Sequence, residues 1–442
     1  MALSTGLPPN ASLSGDELDC VFESLSRSRG EFSWRQLLGI SPIALCSLAG
    51  GLRGFEALLA AGADLSAANE AGEGLLVLAL SRRSEPMARR LLALAREGRV
   101  PVGPQALCRA VAWGWREGIE ALIDMGVDVN ASSHGATPIA IAARRDFPWA
   151  LRLLAHAGAN IDSLHPCGTT ALMISADMGR VATMEGIIAL GADVEAVDGL
   201  GRSAVWRLAL KRNTSAMELL LASGARPDKL PTFLPHGPRL LTALGRAARS
   251  GNDAAMRALL AAGADPSFAG WAGDRSPVRV DVLGAWARGA RREPGDISPQ
   301  NFSECLRLAI KASASLDHVD EKGCWPLWAA ALGPKIFPGA VEMLVAAGAS
   351  IETKDAAGET LLDKLMARGN HFHGEAHALR MAEFLLSRGA EVTPALRSAI
   401  ALGNARLFPQ MRELLRSAAL AQDERRELGS LPLASRSGSP RM

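Results

Sequence analysis

Residues 135–146 read GATPIAIAARRD. A glycine precedes Thr-Pro, and Thr-Pro precedes a short run of small and apolar residues. Thr137 can cap a helix N-terminus by accepting a backbone N–H on its hydroxyl. Pro138 then falls at the first helical position, where a missing N–H forfeits no intrahelical bond. Alanines at 140, 142 and 143 keep the helix thin. The stretch predicts a short capped helix built to be stacked closely against neighbours.

The same grammar recurs outward along the chain. GVDVNASSHGATPIAIAARRD begins at Gly126, GANIDSLHPCGTTALMISAD at Gly158 and GADVEAVDGLGRSAVWRLAL at Gly191. Further copies are GADLSAANEAGEGLLVLAL from Gly62 and GASIETKDAAGETLLDKL from Gly348. The step from the first glycine to the glycine of the turn is ten residues for 62→72, 158→168, 191→201, 263→273 and 348→358. It is nine for 126→135. Upstream of each first glycine lies an apolar helical segment, such as IEALIDM, LRLLAHA, MEGIIAL or MRALLAA. Intervals between those glycines are 32 (126→158), 33 (158→191 and 191→224), 39 (224→263) and 41 (348→389). A unit of this size cannot bury its apolar face alone, but a stack can.

A period near 33 residues with a turn and two short helices resembles the ankyrin repeat. That family's T-P-L-H-x-A box stands clearest at Thr137-Pro138-Ile139-Ala140-Ile141-Ala142. Weaker copies are Ser41-Pro42-Ile43-Ala44, Thr170-Ala171-Leu172-Met173 and Trp325-Pro326-Leu327-Trp328. The resemblance covers roughly residues 41–420. It implies an all-α ankyrin-repeat solenoid of about ten helix-turn-helix units with hairpin loops and helical caps. Around that array, residues 1–40 are expected as a flexible leader and N-terminal cap. Irregular insertions are expected near 225–240, 266–302 and 367–380, and a disordered tail over 421–442.

Composition narrows the function classes. The 442 residues are 48% hydrophobic and 21% charged with net charge +2, too balanced to drive non-specific nucleic-acid or membrane binding. Lysine supplies 7 of 48 basic residues and tyrosine is absent, which reads as a high-GC bacterial genome. Six scattered cysteines without C-x-x-C point to a reduced chain, with neither a disulfide framework nor a zinc module. The first fifteen residues lack the basic and apolar regions of a Sec signal peptide, and no apolar run suits a membrane span. No phosphate-binding loop, nucleophile elbow or Cys/His metal signature occurs, so no enzyme activity and no cofactor are expected.

His371, His373 and His377 cluster in HFHGEAH. If residues 373–377 are helical, His373 and His377 share a face, a weak metal candidate against the simpler reading of a polar loop. Arg82, Arg83, Arg89, Arg90 and Arg96 read as a solvated basic face rather than an anion site. The ankyrin resemblance implies a concave face of hairpin tips and first helices that binds a partner protein. Candidate contact residues are Trp206, Trp325, Trp328, Trp113, Leu200, Arg202, His134, Glu321 and Lys322. Trp325 takes the Thr position of the box and Trp206 the His position, and both are expected to be exposed. Asn69, Asp198, Asp320 and Asp355 share one phase, where a short polar side chain closes the turn by bonding backbone N–H groups. The expected protein is a monomer that binds a protein partner, with no nucleic acid and no membrane. Its Ser/Pro-rich, acid-poor first fifteen residues resemble a type III secretion leader, which would make it an effector acting on a host factor. The alternative is a resident bacterial cytoplasmic adaptor or inhibitor.

Overall fold

The computed structural model describes residues 41–69, 71–229, 241–272, 278–290, 299–312, 316–317, 325–332, 339–355, 357–368, 375–402 and 409–430. The chain divides into two compact units, Met1–Gly199 and Leu200–Met442.

In the first unit the opening stretch forms the helix Pro138–Arg145, and Thr137 Oγ1 accepts from the Ala140 N–H at 3.4 Å. The helix pairs are Pro42–Ala49 with Leu52–Ala60, Leu75–Ser81 with Glu85–Arg96, and Pro104–Trp113 with Arg116–Asp124. Pro138–Arg145 with Pro148–His156 and Ala171–Met178 with Val181–Ala189 follow. First helices stack on first helices in succession. In the second layer Glu85–Arg96 packs on Arg116–Asp124, and Pro148–His156 on Val181–Ala189. Ile119, Leu122, Ile139, Leu151, Leu154 and Ile187 are fully or almost fully buried between the layers. Removing these apolar faces from water is what holds the stack together.

The second unit repeats the scheme. Its pairs are Ala204–Leu208 with Thr214–Ala222, Ala243–Ser250 with Asp253–Ala261, and Val282–Ala290 with Pro299–Lys311. Pro326–Leu332 with Ala340–Ala346, Leu361–Arg368 with Glu375–Ser387, and Pro394–Ala401 with Pro409–Ser430 complete it. Ser203, Thr242 and Thr393 cap their helices as Thr137 does.

The glycine after the second helix is left-handed, as at Gly191 with φ +85°. It starts a bonding ladder between repeats. The side chain four residues after this position accepts from the backbone N–H two residues after the next such glycine. Asn130 accepts from Asn160 (2.7 Å), Asp162 from Asp193 (3.1 Å), Asp228 from Asp265 (2.9 Å), Asp317 from Ser350 (3.0 Å) and Glu352 from Glu391 (2.9 Å).

Two irregular regions differ from the sequence reading. Residues 266–302 hold a strand pair, Gly270–Ala272 antiparallel to Val278–Val280, and then the helix Val282–Ala290. That helix packs on Ala243–Ser250 and Pro326–Leu332, so this stretch contains a repeat's first helix behind a lengthened hairpin. Asp281 takes the place of the capping Thr, and its Oδ1 accepts from the Gly284 N–H at 2.6 Å. The insertion expected near 367–380 is flanked by the helices Leu361–Arg368 and Glu375–Ser387, and residues 369–374 lie outside the described residues. Residues 421–430, expected as tail, continue the helix Pro409–Ser430, where Gln422 donates to the Ala390 carbonyl and Asp423 accepts from Arg397 of the paired helix Pro394–Ala401. Residues 1–40, 230–240 and 431–442 lie outside the described residues.

Candidate partner-binding surface

Several described hairpin tips are tight turns whose polar side chains are tied down. At the tip before the opening helix, Ser133 and Ala136 exchange both backbone hydrogen bonds at 3.0 Å. His134 and Gly135 between them have φ +51° and +77°. Positive φ at both central positions is the hairpin turn whose twist matches its strands. His134 is exposed, and its Nδ1 lies 3.1 Å from Ser133 Oγ. At the following tip, Gly168 N–H donates to the His165 carbonyl and Arg144 Nη2 donates to His165 Nε2 at 3.1 Å. A guanidinium only donates, so Nε2 must accept. Burial, and then the Arg144 charge, hold the His165 imidazole below its ordinary pKa. The neighbouring Cys167 is exposed, with Sγ 3.0 Å from both His165 Nδ1 and Thr169 Oγ1.

Turn closure by short polar residues is seen at Asn69 and Asp355. The Glu73 N–H donates to Asn69 Oδ1 at 2.9 Å, and the Ala357 and Glu359 N–H groups donate to Asp355 Oδ1 at 2.9 and 3.0 Å. Glu73 then pairs with Arg109 of the next first helix at 2.9 Å. Lys364 pairs with Asp355 at 2.9 Å and with Glu359. The Lys364 ammonium is the main cause holding the Asp355 carboxyl below its usual range.

The tryptophans fall differently from expectation. Trp206 is 8% exposed, because its Nε1 donates to the Leu241 carbonyl at 2.7 Å across the repeat interface. Arg246 lies over its ring, with Cζ 3.3 Å from the centroid, and Arg202 stands 5.6 Å away. Trp328, also at the His position of its box, is buried and donates to Thr353 Oγ1 at 3.0 Å. Trp325 is half-buried just before the helix Pro326–Leu332. Trp113 is half-buried with its ring centroid 5.0 Å from that of Trp115. Leu200 and Arg202 are half-buried at their tip. Glu321 and Lys322 lie outside the described residues, as do His371 and His373. His377 sits half-buried in the helix Glu375–Ser387. Among the described residues no group of three or more His, Cys, Asp or Glu is placed to hold a metal.

The basic stripe of the first unit is interleaved with acids. Arg89 reaches Glu85 and Glu117 at 2.7 Å each, and Arg90 reaches Glu56 at 2.6 Å. The Arg89–Glu117 and Arg90–Glu56 pairs join second helices of successive repeats, and the Arg89–Glu85 pair lies within one helix.

The recurring unit is now complete: a tight tip, a capped Ala-rich first helix, an apolar second helix and a left-handed glycine, phased at about 33 residues. No protein-family model matches the chain. Over 128 residues, 28% of its length, it is 31% identical to neurogenic locus notch homolog protein 1 of Mus musculus. Neurogenic locus notch homolog protein 2 of Homo sapiens is likewise 31% identical over 128 residues. The match takes in 5% of the length of each of those relatives. Among solved structures, the human ASB11 ankyrin repeat domain aligns at TM-score 0.43 and 20% identity, over 58% of this chain and 100% of that one.

The fold is an all-α solenoid of ankyrin-type repeats.

Within the ankyrin repeats, sequence reasoning missed Arg246, Arg144 and the pairing of Arg109 with Glu73. Arg246 occupies the variable position of its box, Thr242-Ala243-Leu244-Gly245-Arg246-Ala247. Its signal was an arginine one repeat beyond a tryptophan at the His position. No ankyrin helix among the described residues is long and apolar enough to cross a membrane.

Proposed function

We propose that this protein is a non-catalytic scaffold that binds a partner protein through its hairpin tips and first helices. One observation carries the reading: tip side chains are held by neighbouring repeats, as His165 is by Arg144 and Glu73 is by Arg109. A surface whose polar groups are already ordered loses less entropy on binding. His134, Leu200, Arg202, Trp113 and Trp325 are the described residues assigned to contact, with Glu321 and Lys322 assigned by repeat register. Trp206 and Trp328 act beneath that surface, holding the first helices to the next hairpin.

A photo-crosslinking residue placed at His134 tests this against the same residue placed at Glu120 on a second helix. The expected result is a discrete protein adduct in cells from position 134 and none from position 120. Equal labelling, or none at either position, overturns the scaffold reading.

We further propose that the protein is a type III secreted effector acting on a host factor, on the ground of its Ser/Pro-rich, acid-poor first fifteen residues. Residues 1–60 fused to a calmodulin-dependent cyclase report export as cyclic AMP in host cells. A signal that requires a working secretion apparatus supports the effector role. A well-expressed fusion without signal assigns the protein to the bacterial cytoplasm, as an adaptor or inhibitor of an endogenous protein.

A further inference from the structure

The hairpin tip ahead of the helix Ala171–Met178 gathers reactive side chains from two successive repeats. Cys167 is exposed there, with Sγ 3.0 Å from His165 Nδ1 and 3.0 Å from Thr169 Oγ1. Arg144, on the preceding repeat, donates to His165 Nε2 at 3.1 Å. That bond fixes the tautomer, because a neutral imidazole whose Nε2 accepts carries its hydrogen on Nδ1. Burial, and then the Arg144 charge, favour the neutral ring. The Cys167 N–H stands 3.4 Å from Nδ1, too long to compete with Arg144 for the tautomer. His165 Nδ1–H is therefore a donor to the sulfur, and the Thr169 hydroxyl supplies a second.

The tip holds these groups in place. Thr169 is buried. A Cβ at Gly135 would meet Pro166 Cγ at 2.2 Å, so the preceding tip packs tightly on this one. The other described cysteines are placed differently. Cys108 and Cys305 are buried, and burial pushes both thiols up, that of Cys108 to about 11. Cys46 is half-buried, and burial pushes its thiol up as well. Buried thiols in apolar surroundings are inert, whereas an accessible sulfur among hydrogen-bond donors is open to reaction.

We propose that Cys167 is a modification site that takes a thiol cap from low-molecular-weight disulfides, with His165 and Thr169 as positioning residues. The attacking species is the thiolate, whose charge meets His165 Nδ1–H and the Thr169 hydroxyl. The thiolate attacks one sulfur of the disulfide. A new S–S bond to Cys167 forms as the original S–S bond breaks, and the departing sulfur leaves as a thiolate that takes a proton from water. Cys167 is oxidised and the departing half is reduced, so the disulfide is the only oxidant required. Donors to the sulfur raise the thiolate fraction more than they blunt its attack, so exchange gains in rate near neutral pH. Capping needs no partner protein, so it stands or falls independently of the scaffold reading.

The test exposes the full reduced chain to glutathione disulfide near neutral pH and follows each cysteine by peptide mass mapping. The expected result is a glutathionyl adduct at Cys167, with Cys108 and Cys305 left free. Cys167 should react about fivefold faster in the folded chain than in the urea-unfolded chain. Thr169→Val should slow the folded reaction about twofold, and Thr169→Ser, which restores the hydroxyl, should recover it. His165→Phe should slow it by about the same factor. Circular dichroism melting shows that each variant is folded. Should Thr169→Val unfold, His165→Phe, at a half-buried tip position, carries the test. A Cys167 rate no faster than in the unfolded chain, rates unchanged in the folded His165 and Thr169 variants, or preferential capping of Cys108 or Cys305 overturns the proposal.

Discussion

Trp206 shows how one side chain joins local pattern to packing. Its position in the box is a surface position in the repeat grammar, yet the ring is buried and its N–H is satisfied by Leu241, 35 residues onward. Trp206→Ala should therefore cost about 3–5 kcal/mol of stability, as for other buried large aromatics. Denaturant unfolding followed by circular dichroism measures this, and a loss below about 1 kcal/mol would return Trp206 to the surface. The Asp355–Lys364 pair makes a prediction in pH. The Asp355 carboxyl is held below its ordinary value, mainly by Lys364, so its share of stability is present above the unfolded value near 4. That share is lost as pH falls through the folded value. Lys364 is held above its ordinary value by Glu359 and Asp355, so its share persists until pH exceeds the usual lysine range. The difference in melting temperature between wild type and Lys364→Ala should be largest near neutrality and shrink toward pH 3. A constant difference across that range would show that the pair does not act through charge.

At the scale of the helix and its turn, two glycines serve opposite purposes. Gly191 ends a second helix with φ +85°, and a Cβ there would meet nothing within 4 Å. Gly191→Val should cost roughly 1–2 kcal/mol through backbone strain alone. Gly245 lies inside the helix Ala243–Ser250, where a Cβ would sit 2.4 Å from the Ala269 carbonyl oxygen. Gly245→Ala should cost about 1–3 kcal/mol by overpacking, despite the better helix propensity of alanine. Thermal unfolding compares the two, and a stabilised Gly245→Ala protein would contradict the close approach of hairpin and helix. The role of Gly191 was readable from its place after an apolar helix. That of Gly245 was not, because the Ala269 carbonyl arrives from the next hairpin. The helix Val282–Ala290 was missed for a related reason: Asp-Val stands where the box has Thr-Pro, although DVLGAWARGA parallels TALGRAARSG.

Across the whole molecule, buried apolar layers hold each unit, and ion pairs such as Arg90–Glu56 and Arg89–Glu117 decorate their surfaces. Exposed pairs are worth at most about 1 kcal/mol and are screened by salt. Raising sodium chloride to about 0.5 M should therefore shift melting by only a few degrees. A collapse of stability in salt would mean that charge, not burial, holds the stack. The sequence by itself determined the repeat, its phase, the capped first helices and the left-handed glycines. Each of these is a local constraint on backbone dihedrals or on hydrogen bonds within a few residues. Only the tertiary structure decided which tryptophans are covered, which arginines stack or pair, and where a glycine is indispensable. Those outcomes join residues far apart in the chain, such as Arg144 with His165 and Trp206 with Leu241. Which side chain meets which across a repeat interface depends on how the stacked helices fit, and no local pattern encodes that fit.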